Sequence, residues 1–86
     1  MKRIGNFLFI EQWFEDHEPE QAIININKID NICSAEMSDY KQHSVIETPE
    51  GNIAITGDHN DNIIELSKLL STPNEINVNF DDMCDL

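Results

Sequence analysis

The chain is 86 residues long with a formal net charge of -12, seventeen Asp and Glu standing against five Lys and Arg. That balance disfavours direct nucleic-acid binding, whose affinity comes largely from Lys and Arg neutralising phosphates. It points instead to a basic partner, because charge of one sign repels itself and weakens the compact state. An apolar content of 40% is too high for a disordered chain, and the length suits one small domain over residues 1–86 with an acidic tail from about residue 81.

From the N-terminus, residues 7–10 (Phe-Leu-Phe-Ile) form a strand-type apolar run that Trp13 and Phe14 extend. No apolar run approaches the roughly 18 residues of a membrane helix, and residues 1–10 lack the length and small-residue cleavage site of a secretory leader, so a cytoplasmic protein with no membrane partner is expected. Residues 15–20 are acidic, broken by Pro19, and read as a loop. Residues 22–27 are rich in β-branched side chains, with Ile24 and Ile26 predicted on one face of a second strand. The period changes at Ile29 and Ile32, which a bulge or turn near residues 28–31 explains. The strand resumes at 33–37, and 38–42 connects it onward.

Residues 43–48 and 53–56 flank Pro49-Glu50-Gly51-Asn52 and predict a hairpin, with Val45 or Ile46 facing inward against Ile53 and Ile55. After Gly57, Asp58 or Asn60 caps a helix whose Ile63, Leu66, Leu69 and Leu70 form one apolar stripe, ended by Pro73. Ile76, Val78 and Phe80 alternate with Asn77 and Asn79 as an edge strand. The expected class is α+β: a small antiparallel sheet of about four to five strands packed on one helix in the C-terminal half.

No catalytic motif stands in this order. There is no Gly-rich phosphate loop, nucleophile elbow or His-Glu-x-x-His pair, so no enzyme activity and no cofactor are expected. Asp58, Asn60 and Asn62 match the first three ligand positions of a calcium loop, but Ile63 replaces the turn Gly and Leu69 the bidentate Glu, which favours a helix cap. His17, His43, His59, Cys33 and Cys84 lack zinc-site spacing, so no metal is expected. The two widely separated cysteines read as free thiols in a reducing compartment, Cys33 as a small core residue.

Two acidic clusters remain. Glu11, Glu15, Asp16, Glu18 and Glu20 surround Trp13, which either anchors a docking site or completes the core. Glu75, Asp81, Asp82 and Asp85 form a second cluster that is either a docking surface or a solvated terminus. Carboxylates on a rigid scaffold can stand in for phosphates, since Arg and Lys grip both anionic oxygens alike. The expected partner is therefore a basic surface of a protein or nucleoprotein complex, with Glu11, Trp13, Glu15, Asp16, Glu18, Glu20, Asp81, Asp82 and Asp85 as contact residues. Self-association through the edge strand or an apolar patch, as a homodimer or regulatory module, is the alternative.

In its brevity, lack of catalytic motifs and acidic stretch at 11–20, the chain resembles the small acidic inhibitors of phages and mobile elements, including anti-CRISPR and anti-restriction proteins. That resemblance implies blockade of a nucleic-acid site in a defence complex. Residues 24–32, 46–55 and 63–70 are also similar in layout to FlbD-like flagellar proteins: a strand, an Ile-rich turn, a Gly-centred hairpin and a helix. This second resemblance implies the fold.

Overall fold

The computed structural model describes residues 1–71. In chain order they form β1 (Lys2–Ile4), β2 (Phe7–Gln12), β3 (Glu20–Asn25), a one-turn 3-10 helix (Ile26–Lys28), β4 (Asn31–Glu36), β5 (Gln42–Thr48), β6 (Gly51–Ile55) and α1 (His59–Ser71). The strands make one antiparallel sheet in the order β1-β2-β6-β5-β4, with β3 on the other side of β2. The α+β class, the antiparallel sheet and the helix in the C-terminal half are as the sequence leads one to expect. The strand expected around Ile76 to Phe80, Pro73 and the acidic tail lie outside the described residues.

β2 joins the two halves of the sheet. β3 covers one side of it from Phe7 to Gln12, while β1 pairs with Phe7–Phe9 on the other side and β6 meets it at Gln12↔Ile55. That junction is held by the Trp13 amide donating to the Ala54 carbonyl at 2.8 Å and the Thr56 amide donating to the Glu11 carbonyl at 3.1 Å.

Alternation sorts the residues of β2 between the two faces. Leu8 and Ile10 join Ile24, Ile46, Ile55 and Leu66 of α1 in the core, and each of these is 5% exposed or less. Phe7 and Phe9 point to the opposite face, opposite Ile4 and Lys2 on β1 and Asn25 and Ile23 on β3. The inward residue of the hairpin is Ile46, opposite Ile53, whereas Val45 is buried outside this cluster, opposite Ala54 and Cys33.

Four local features differ from the sequence reading. The apolar run is the second strand, because the chain folds back through Gly5 at φ 59, a left-handed conformation that glycine adopts without a Cβ clash. Trp13 and Phe14 leave the strand at Gln12. Ile26 opens a 3-10 turn instead of sharing a strand face with Ile24; the Asn25 side chain accepts from the Asn27 amide at 2.9 Å, a local bond that competes with the ladder. The hairpin closes more tightly than expected, with Thr48 opposite Gly51 and only Pro49 and Glu50 between the strands.

Candidate functional site

Antiparallel pairing collects three connections at one end of the sheet: the β2–β3 loop (residues 13–19), the β4–β5 turn (37–41) and the link from β6 into α1 (56–58). The acidic residues collect there with them. Glu11, Glu15, Asp16, Glu18, Glu20, Glu36, Asp39, Asp58 and Asp61 lie at or near this end, and Lys41 is the Lys or Arg that the described residues place there. At the far end Asp30, Glu47 and Glu50 are partly offset by Lys28 and Lys68, and Lys28 Nζ approaches Glu50 Oε2 at 3.4 Å. Charge in the described residues is therefore segregated, and like charges gathered at one end add their potentials.

The sequence-predicted contact residues divide between this end and the undescribed tail. Glu11 is exposed on β2, where it accepts a hydrogen bond from Thr56 Oγ1 at 3.0 Å. Glu15, Asp16 and Glu18 are exposed in the loop, and Glu20 opens β3. Within the loop, His17 stacks on Phe14 at 4.2 Å and lies 3.6 Å from Glu20 and 3.9 Å from Asp16. Trp13 does not project as a free anchor: its ring packs against His43 with centroids 4.7 Å apart. Asp81, Asp82 and Asp85 lie outside the described residues.

Behind the loop, Trp13, Asp39, Gln42, His43, Asp58 and His59 line a cleft of about 770 Å³. His43 is 4% exposed, with Nδ1 3.1 Å from the Ile55 carbonyl oxygen and Nε2 2.9 Å and 3.1 Å from the two oxygens of Asp39. The hydrogen bond to His43 holds the Asp39 carboxyl below its ordinary range, with smaller help from the Lys41 amide and charge. Next to it, the fully buried Ser44 hydroxyl meets His59 Nδ1 at 2.7 Å.

The link into the helix is fixed by its own polar groups. Asp58 accepts from the Asp61 amide at 3.1 Å through its side chain, a helix cap that satisfies one orphan donor. The buried Asn62 side chain donates to the Thr56 carbonyl at 2.8 Å. These bonds engage one carboxylate oxygen of Asp58 and turn Asn62 back on the chain, so the calcium-like spacing at 58–62 builds a helix start. No group of three His, Cys, Asp or Glu among the described residues could hold a metal ion. No helix among them is long and apolar enough to cross a membrane.

Sequence reasoning missed the Asp39–His43 and Ser44–His59 pairs. Asp39 and His43 meet only because the turn between β4 and β5 folds back, and Ser44 and His59 are fifteen positions apart. Cys33 is half-buried on β4, with Sγ 3.7 Å from Glu47 Oε2, and its thiol is pushed up, first by burial and then by the Glu47 carboxylate. That is the reverse of an activated nucleophile.

No protein-family model, curated protein or solved structure matches the chain.

Proposed function

We propose that the protein acts by binding: its acidic end occupies a basic, nucleic-acid-binding surface of a target complex in the cytoplasm and excludes the nucleic acid. The observation that carries this reading is the segregation of charge, with the carboxylates of the β2–β3 loop, the β4–β5 turn and the helix start gathered at one end of the sheet and those of the far end partly offset by lysines. A field concentrated at one pole steers a basic partner to that pole, where a uniform coat of charge would give no orientation. Catalysis receives no support from the Ser44–His59 hydroxyl–imidazole pair, because Ser44 is wholly buried and its oxygen cannot reach a substrate.

The test is recovery of the target from source-cell lysate with the tagged full chain and two matched double reversals. Glu15→Lys with Glu18→Lys alters the acidic end; Asp30→Lys with Glu50→Lys makes the same charge change at the far end. The expected result is a nucleic-acid-handling complex released by salt and by competing nucleic acid, with affinity about tenfold or more weaker for the first pair, a loss of at least about 1.4 kcal/mol. Equal affinities for both pairs would remove the reading.

A second reading is self-association through an apolar patch, which one observation favours. Ile4, Phe7 and Ile23 are 56%, 49% and 58% exposed, and the register sets them with Phe9 on the sheet face opposite the core. Contiguous exposed apolar surface of this kind is a common contact surface. Light scattering over a concentration series decides: a mass that rises to a dimer, and falls to a monomer in Phe7→Lys, supports it, and a monomer throughout rejects it.

A further inference from the structure

Among the described residues β3 pairs with β2 alone, which leaves its other edge open. Which of its backbone groups face that open side follows from the neighbouring bonds. The Ile26 amide donates to the Asn6 carbonyl at 2.8 Å, while on β2 the Trp13 amide and the Glu11 carbonyl turn the other way, to the strand β6 and the residue after it. Direction alternates along an antiparallel ladder, so Glu20, Ala22 and Ile24 bond to β2, and the N–H and C=O groups of Gln21, Ile23 and Asn25 point outward. Edge strands are commonly blunted by Lys, Pro, a bulge or an inward-pointing charge. From Gln21 to Asn25 this strand carries no charge and no proline, and its register with β2 runs without a bulge.

We propose that the open edge of β3 pairs antiparallel with the same edge of a second copy, about a two-fold axis at Ile23. Ile23 then exchanges both hydrogen bonds with its counterpart, and Gln21 of each copy exchanges them with Asn25 of the other. The residues with outward backbone groups also carry their side chains on the face opposite the core, so the two sheets join with like faces on the same side. Ile23, 58% exposed, meets its counterpart on that face, and the core-side Ile24 of each copy stands opposite Ala22 of the other.

Charge fixes both the direction and the choice of edge. β3 starts at the acidic end with Glu20 and runs away from it. Parallel pairing would set the two acidic ends side by side. Antiparallel pairing puts Glu20 of one copy level with Ile26 of the other, so the two carboxylates stand about 20 Å apart along the strands, beyond the screening length of about 8 Å in 0.15 M salt. β4, at the other side of the sheet, lacks this property. The Asp30 amide bonds to Glu47 of β5, so its outward groups belong to Asn31, Cys33 and Ala35. The equivalent pairing about Cys33 sets Asp30 of each copy opposite Glu36 of the other, and like charges placed there oppose it. The β3 pairing makes one sheet that runs through both copies with an acidic pole at each end. It is independent of the target proposed for those poles, and it places self-association on a strand edge and not on the apolar face.

Hydrogen exchange of the full chain, followed by NMR over a concentration series, reads the edge directly. The amides of Gln21, Ile23 and Asn25 should exchange fast when dilute and slow together, by about tenfold or more, as light scattering shows the mass rising to a dimer. Gln21→Pro removes an outward donor and leaves the β2 ladder intact, so it should weaken the dimer about tenfold or more. In a Cys33→Ser, Cys84→Ser background, Ile23→Cys should oxidise to a linked dimer and Gln21→Cys should not, because position 23 alone meets itself. Phe7 lies one strand in from the edge, so Phe7→Lys should leave the dimer in place. A monomer at every concentration would overturn the proposal together with the apolar-face reading. A dimer whose three amides stay fast, and which Phe7→Lys dissociates, would overturn the edge pairing alone and leave the face as the contact. If Gln21→Pro fails to fold, the amides of the wild type and the Ile23→Cys cross-link decide.

Discussion

Leu66→Ala tests how the helix is seated on the sheet. Leu66 is 2% exposed and is the buried apolar residue of α1, packed in the cluster of Leu8, Ile10, Ile24, Ile46 and Ile55. Shortening a buried Leu to Ala removes transfer free energy and leaves a cavity, together about 2–5 kcal/mol. Alanine's higher helix propensity returns only a few tenths of this. At roughly 0.05–0.15 kcal/mol per residue the chain has on the order of 4–13 kcal/mol in total, so the substitution removes a large fraction of it. For a domain of this size, at about 4–8 °C per kcal/mol, the midpoint should fall by about 8–40 °C. Thermal unfolding followed by circular dichroism, with urea titration for the free energy, measures both. Ile64→Ala two positions away is the control: Ile64 is 56% exposed, and its loss should stay within about 0.5 kcal/mol. A cost for Leu66→Ala below about 1 kcal/mol, or equal to that of Ile64→Ala, would refute the packing and with it the position of His59 at the cleft.

Two further outcomes concern the titrating groups. The folded-state value of Asp39 is depressed, so its ionisation contributes stability that is present above the unfolded value of about 3.9 and is lost as pH falls through the lower folded value; urea midpoints measured down that acid arm should fall less steeply for Asp39→Asn than for the wild type, and equal slopes would count against the His43 contact. The Cys33 thiol is pushed up by burial and by Glu47, so in a Cys84→Ser background it should alkylate with iodoacetamide more slowly than free cysteine at mildly alkaline pH, and Glu47→Gln should speed it; a rate equal to that of free cysteine in both proteins would contradict the placement of Cys33 beside Glu47.

The parts of the fold that were legible in the sequence are those set by local chemistry. The helix start was readable because an Asp at position 58 caps a helix only in the residues just C-terminal to it, and the hairpin because Pro49 and Gly51 supply the turn. β1 was not, since three residues carry no period, and its position depends on Gly5 turning the chain back onto β2. The 3-10 turn at Ile26 was hidden for a different reason: its isoleucines have the composition of a strand, and the competing bond comes from the Asn25 side chain. Of the candidate site, the acidic loop was visible as composition. The cleft was not, because Asp39, His43, Trp13 and His59 are brought together by strand register and by the turn between β4 and β5, neither of which a linear spacing encodes.

Collecting the carboxylates at one end places two demands on the same charges, and salt separates them. Exposed like charges repel within the folded protein, and that repulsion fades as the screening length falls from about 30 Å at 0.01 M to about 8 Å at 0.15 M salt. The described ion pairs are few and mostly exposed, such as Lys28 with Glu50, so screening them costs little. Added salt should therefore raise the melting temperature of the free protein. The same screening weakens attraction to a basic partner, so affinity should fall over the same range. Opposite responses in the two measurements, thermal unfolding of the free chain and salt titration of the captured complex, are what a chain carrying surplus charge for binding gives. A melting temperature that falls with salt would mean that the carboxylates are on balance held by internal partners, and the acidic end would then be part of the scaffold and not a surface kept for another molecule.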